Sequence, residues 1–234
     1  VDRGVDVSAS ELSVASVSER LAHVRRRIAA AGGDPDHVRI LAVTKGFDVD
    51  AVRVASAAGL VAVGENYAQE LVAKAIELRD DQSPPVPPVE WHFIGRLQSN
   101  KVRQLAPHVR CWQSIDRSSL LDEVAKRAPG ATVFIQINLS GEPTKGGAAV
   151  EDVSALVHHG RDLGLDVGGL MGVGPAGPAE SARPGFRALV ALADDLGLAE
   201  RSIGMSADLE VAVHEGATMV RVGRDLFGPR PQRH

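Results

Sequence analysis

Residues 39–46 read Arg39-Ile40-Leu41-Ala42-Val43-Thr44-Lys45-Gly46. Ile40 to Thr44 are apolar or β-branched, and the run closes at a lysine followed by glycine. A short apolar run ended by a turn signal is the pattern of a strand buried on both faces, as in parallel sheets. Lys45 then stands at the carboxyl end of that strand, where α/β proteins gather their chemistry. A lysine there can simply stay solvated. It can also be an amine whose pKa burial has lowered, the kind that forms Schiff bases with aldehydes.

The segments on either side repeat one pattern. Upstream, Val17, Leu21, Val24, Ile28 and Ala31 recur at spacings of four and three, an amphipathic helix from Ser16 ended by Gly32-Gly33. Arg25-Arg26-Arg27 falls largely off that stripe and reads as a solvated face. Downstream, Asp48 caps a helix running to Gly59, and Leu60 to Val63 is a second strand. Glu65 to Arg79 reads as helix, which puts Glu65 and Glu70 near its start, where carboxylates suit the positive dipole end. The proline-rich 81–89 is a rigid loop. Strands are then expected at 90–94, 110–115, 131–138, 167–171, 202–205 and 218–222. Helices are expected at 98–105, 116–128 with Asp116 as cap, 150–163, 185–196 and 207–215.

Eight strands alternating with helices predict a parallel sheet, and eight units in this length predict a single closed (β/α)8 TIM barrel. A doubly wound open sheet is the competing architecture. No Gly-x-Gly-x-x-Gly follows the first strand, and eight repeats exceed its usual count. The barrel is expected over residues 16–228, with an N-terminal tail at 1–15, a C-terminal tail at 229–234 and no second domain.

Composition narrows the function classes. The chain has 234 residues, 44% hydrophobic and 24% charged, enough for one sizeable core. No run approaches a membrane span. A net charge of −4 and a pI near 6.1 give no electrostatic case for nucleic acid. Cys111 is the only cysteine, so no internal disulfide forms, consistent with a cytoplasmic protein. The histidines lack metal-ligand spacing, and no metal site is expected. His92 reads as a hydrogen-bonded structural histidine on a buried strand. No apolar exposed stripe marks the outer helices, and a monomer is expected.

In a barrel, the loops after strands seven and eight commonly form a phosphate site. Here they read Gly204-Met-Ser-Ala-Asp208 and Arg221-Val-Gly-Arg224. Each offers glycine for close backbone approach and a helix starting just after, and the first adds the Ser206 hydroxyl. Taken singly, Ser206 could be a helix cap and Gly223 a turn glycine.

Several segments carry a resemblance over nearly the whole chain: Leu41-Ala-Val-Thr-Lys45, Gly64-Glu-Asn-Tyr-Ala-Gln-Glu70 and Trp91-His-Phe-Ile-Gly-Arg-Leu-Gln-Ser-Asn-Lys101. Further on come Gln136-Ile-Asn-Leu-Ser140 with Lys145, Gly169-Leu-Met171, Gly204-Met-Ser206, Met219-Val-Arg-Val-Gly223 and Leu226-Phe-Gly228. The chain resembles the pyridoxal phosphate homeostasis proteins, small pyridoxal-phosphate-binding proteins related to the N-terminal barrel of alanine racemase. The resemblance implies that Lys45 forms the internal aldimine with pyridoxal 5′-phosphate, and that Ser206, Gly223 and the Arg224 backbone cradle the phosphate. It implies Arg221 facing the pyridine nitrogen, Asn66 beside the cofactor and Met171 near the ring, Met171 being equally readable as a core methionine. Thr44 stands where relatives often carry serine, Phe47 where many carry a second lysine, and Arg224 where threonine or serine is common. The Lys145-Gly-Gly147 loop has one glycine more than the family pattern.

The same resemblance implies a carrier in cellular cofactor homeostasis with little turnover, its partners pyridoxal phosphate and the apoenzymes that use it. The alternative is a pyridoxal-phosphate-dependent amino-acid racemase. A barrel aldolase using Lys45 on a phosphorylated metabolite is a weaker third reading. An arginine partner leaves the pyridine nitrogen unprotonated, a poor setting for carbanion chemistry. Racemisation also needs a second acid–base group, and Tyr67, the only tyrosine, is expected to face a neighbouring helix.

Overall fold

A computed structural model describes residues 12–81, 87–140 and 146–230. The elements are α1 (Val14–Ala30), β1 (Arg39–Val43), α2 (Val49–Ala57), β2 (Ala62–Glu65), α3 (Ala68–Asp80), β3 (Glu90–Phe93), α4 (Ser99–Leu105), β4 (Val109–Ile115) and α5 (Ser118–Arg127). They continue with β5 (Thr132–Ile137), α6 (Val153–Asp162), β6 (Asp166–Gly172), α7 (Arg183–Asp195), β7 (Glu200–Met205), α8 (Leu209–His214), β8 (Met219–Val222) and α9 (Arg224–Phe227). The strands close in sequence order, with β1 parallel to both β2 and β8. This is the (β/α)8 barrel that the alternation predicts.

Successive residues of a barrel strand face alternately in and out, so two cores form. Leu41, Ala62, Cys111, Phe134, Met171 and Met219 fill the interior. The larger core lies between strands and helices, where the α1 stripe of Val17, Leu21, Val24 and Ile28 is buried. Burying each such branched side chain contributes about 1.5–3 kcal/mol.

Local chemistry moves several boundaries. The first helix starts at Val14, because Ser13 and Ser16 cap one another: each hydroxyl accepts the other's backbone N–H, at 3.2 and 3.1 Å. Glu65 is not helical. It ends β2 fully buried, and α3 begins only at Ala68. Asp116 does not cap α5; Arg117 holds that position, and Asp116 accepts from the Arg117 guanidinium at 2.6 Å. The helix expected just after the β8 loop is α9, a single turn with Gly223 at its N-cap. Lys145, most of the expected N-terminal tail, residues 82–86 of the proline-rich loop and residues 231–234 lie outside the described residues.

Among the described residues, no helix is long and apolar enough to cross a membrane. None of their His, Cys, Asp and Glu side chains gather in a group of three or more that could hold a metal ion.

Candidate functional site

The carboxyl ends of the strands surround a cavity of about 760 Å³, within the range usual for small-molecule sites. Its lining includes Lys45, Asn66, Ser206, Arg221, Gly223 and Arg224, drawn from segments that follow or belong to β1, β2, β7 and β8. Arg230, past the last helix, lines it too. Among the described residues, the charged ones lining it are Lys45, Arg221, Arg224 and Arg230, all cations. In a chain of net negative charge, that concentrates the attraction for an anion in one cleft.

Lys45 is half-buried, and among the described residues its ammonium has no hydrogen-bond or ion-pair partner. Burial lowers its pKa most, with the Arg230 and Arg221 charges adding to the effect and Glu65 opposing it. A lowered pKa makes more of the neutral amine, which is the nucleophilic form. The backbone on both sides of it is tied down. The Thr44 hydroxyl donates to Glu65 Oε1 at 2.7 Å, and the Thr44 carbonyl accepts from Lys74 Nζ at 2.9 Å. The Gly46 N–H donates to Glu70 Oε2 at 3.0 Å. Lys74 also pairs with Glu65 at 2.6 Å, with side-chain exposures of 7% and 0%. Glu65 and Glu70, which looked like helix-start decoration, are the fixtures of the lysine loop. The signal for Lys74 was its place three residues after Leu71 and one before Ala75, on the buried face of α3.

The loops after β7 and β8 meet as expected, and a missed residue joins them. Arg27 of α1 donates to the Ser206 carbonyl at 2.9 Å and to Glu210 at 2.6 and 2.9 Å, and it pairs with Asp225. The reading of Arg27 as a solvated face is therefore corrected: its guanidinium bridges both loops. Ser206 is not a helix cap either, since Asp208 holds that position for α8. Asp208 accepts the Met205 N–H at 2.6 Å. Gly204 has a φ of +88°, and a Cβ there would lie 2.5 Å from that of Ala212. Only glycine makes this turn without displacing α8.

Asn66 is held at the end of β2 by a close approach: a Cβ at Gly95 would fall 1.9 Å from the Asn66 carbonyl oxygen. Asn66 Oδ1 is buried without a hydrogen-bond partner in the described structure, a state that costs free energy unless a ligand completes it. Arg221 is buried inside the barrel. It donates to the Ser202 and Gly172 carbonyls at 2.5 and 2.7 Å. Burial lowers its pKa to about 10 against the pull of Asp208, which leaves it a cation at neutral pH.

Met171 is packed in the barrel interior with Phe134 and Met219 and is not among the described residues that line the cavity. One expectation changes. Tyr67 does not face a helix. It is 58% exposed and lies outside the cavity lining. Cys111 is buried, and burial pushes its thiol pKa up, the opposite of a nucleophile.

Pyridoxal phosphate requires an amine for its aldehyde, an anion cradle, and polar contacts for the ring. The half-buried Lys45, the all-cationic charged lining with Ser206 and Gly223, and the orphaned Asn66 oxygen fit those needs.

The chain matches the family described as alanine racemase, N-terminal domain, over residues 14–231. It is 43% identical over 230 residues to the pyridoxal phosphate homeostasis protein of Pseudomonas aeruginosa, covering 93% of this chain and 97% of that one. It is 40% identical over 228 residues to the protein of that name from Aquifex aeolicus, covering 91% and 97%. Among solved structures, PipY of Synechococcus elongatus with PLP bound superposes with a TM-score of 0.78 at 33% identity, covering 91% of this chain and all of that one.

Proposed function

This chain belongs to the pyridoxal phosphate homeostasis protein family, and from that premise we propose that it carries pyridoxal 5′-phosphate covalently on Lys45 with little turnover of its own. The observation supporting this is a half-buried lysine amine, unpaired among the described residues, in a cavity whose described charged lining residues are all cations. Bound pyridoxal phosphate supplies an aldehyde and an electron-accepting ring. Lys45 supplies the amine that takes up the aldehyde. Ser206 and the backbone at Gly223 and Arg224 hold the phosphate, and Arg27 fixes the loops that present them. Asn66, its buried Oδ1 unpartnered, would meet a polar edge of the ring. Arg221, a cation at neutral pH, would donate toward the ring nitrogen, which disfavours its protonation and weakens the sink.

The racemase reading has less support. A second acid–base group must stand on the far face of the substrate carbon, and Tyr67 is 58% exposed and not among the described residues that line the cavity. The proposed setting is a cytoplasmic monomer that exchanges its cofactor with pyridoxal-phosphate-dependent apoenzymes.

The test is direct. Protein loaded with pyridoxal phosphate should be yellow, bleach with borohydride, and gain the cofactor mass on the peptide containing Lys45. Lys45→Ala should stay colourless. An adduct on Lys101 or Lys145, or a yellow Lys45→Ala, overturns the assignment.

A further inference from the structure

Four polar side chains form one line through the apolar interior of the barrel. Arg221, Ser202, Gln113 and His92 are each 5% exposed or less. Arg221 lies two residues after Met219, and Gln113 two after Cys111, so the strand period points both inward with those core residues. Arg221 Nη1 donates to Ser202 Oγ at 2.9 Å, and Ser202 Oγ donates to Gln113 Oε1 at 2.7 Å. Gln113 Nε2 donates to His92 Nδ1 at 2.7 Å and to Met219 Sδ at 3.2 Å.

Chemistry fixes the direction of this line at two points. A guanidinium only donates and a thioether only accepts. Ser202 Oγ must accept from Arg221, so its single hydrogen goes to Gln113. The amide must turn its nitrogen to Met219 and His92 and its oxygen to Ser202. His92 Nδ1 must then be bare, which requires a neutral ring; burial holds the His92 pKa down to about 3.

Apolar residues of similar volume would fill this interior at no cost in matched polar groups. What the line provides is orientation. With the Ser202 and Gly172 carbonyls, Ser202 Oγ takes three Arg221 N–H groups. Of the five a guanidinium carries, two remain on a residue that lines the cavity.

We propose that Gln113 is a positioning residue for the bound cofactor: acting through Ser202, it sets the plane of the Arg221 guanidinium and so the hydrogen bonding that a ligand ring meets in the cavity. The inference rests on the pyridoxal phosphate reading above.

Gln113→Met keeps the volume and removes the amide, leaving Ser202 without its acceptor. The dissociation constant for pyridoxal phosphate should rise about tenfold, and the absorbance band of the bound cofactor should move or split. The melting temperature should fall by a few degrees, since the buried Ser202 hydroxyl and His92 ring nitrogen lose their partner, and the cofactor band is the readout that a purely structural role would not move. Ser202→Ala breaks the next link, and the double variant should cost little more than Ser202→Ala alone. A wild-type spectrum and affinity in Gln113→Met, or additive losses in the double variant, overturn the inference. If Gln113→Met does not fold, Ser202→Ala decides, and an unchanged band there overturns it equally. Wild-type protein that takes no cofactor onto Lys45 overturns the cofactor reading instead.

Discussion

Replacing Lys74 by methionine isolates the buried pair beneath the lysine loop. Glu65 would keep the Thr44 hydroxyl on Oε1 but lose its ammonium partner, and its Oε2 already has no hydrogen bond in the described structure. Removing one partner of a buried pair costs about 3–5 kcal/mol, because a charge is left uncompensated. For a chain of this size, about 1 kcal/mol moves the melting temperature by about 2–4 °C, so Lys74→Met should melt roughly 6–20 °C lower at neutral pH. The loss should also depend on pH in a definite direction. Burial raises the folded-state pKa of Glu65 despite Lys74 and Thr44, which pull it down, and removing Lys74 raises it further. A raised folded pKa stabilises fully below the unfolded value and loses that stabilisation as pH rises through the folded value. The gap between wild type and Lys74→Met should therefore be small near pH 4.5, the ordinary glutamate value, and widen toward neutrality. Glu65→Gln combined with Lys74→Met should recover most of the loss. Circular-dichroism melts across that pH range test this. A gap that does not change with pH, or a double variant as unstable as the single one, would refute the buried-charge account.

Ser206→Ala should weaken pyridoxal phosphate by about ten- to a hundred-fold, the worth of one hydrogen bond to a charged group, and leave pyridoxal almost unaffected. Equal losses for the two in equilibrium dialysis would mean that the serine does not touch phosphate. Arg27→Met should show the same selectivity for the phosphorylated ligand, by about tenfold, because it frees both loops without entering the cavity; selectivity unchanged from wild type would deny that role. Holoprotein incubated with L-alanine or L-serine in deuterated water should exchange and racemise well below about 1 s⁻¹, the low end of enzyme turnover. Faster turnover that disappears in Tyr67→Phe would make that tyrosine a catalytic base.

The sequence by itself determined the barrel and the face of it that matters. Each strand is a short local pattern, and eight such patterns with helices between them have one compact way to close. Lys45, Ser206 and Gly223 stand just after strand ends, so their position in the pattern was enough to place them on one rim, whereas Asn66 was placed there only by the family resemblance. The clamps behind them came only from the tertiary structure. Arg27 finds its partners 179 and 198 residues away, and its place off the α1 stripe read as solvent-facing. Glu65 is the last residue of a strand too short to show where it ends, so it read as helix. The line from His92 to Arg221 joins four different strands. Periodicity reports which way a residue faces, not which side chain stands opposite. Buried ion pairs and hydrogen-bonded lines depend on distances between remote segments, which are set only when the barrel closes.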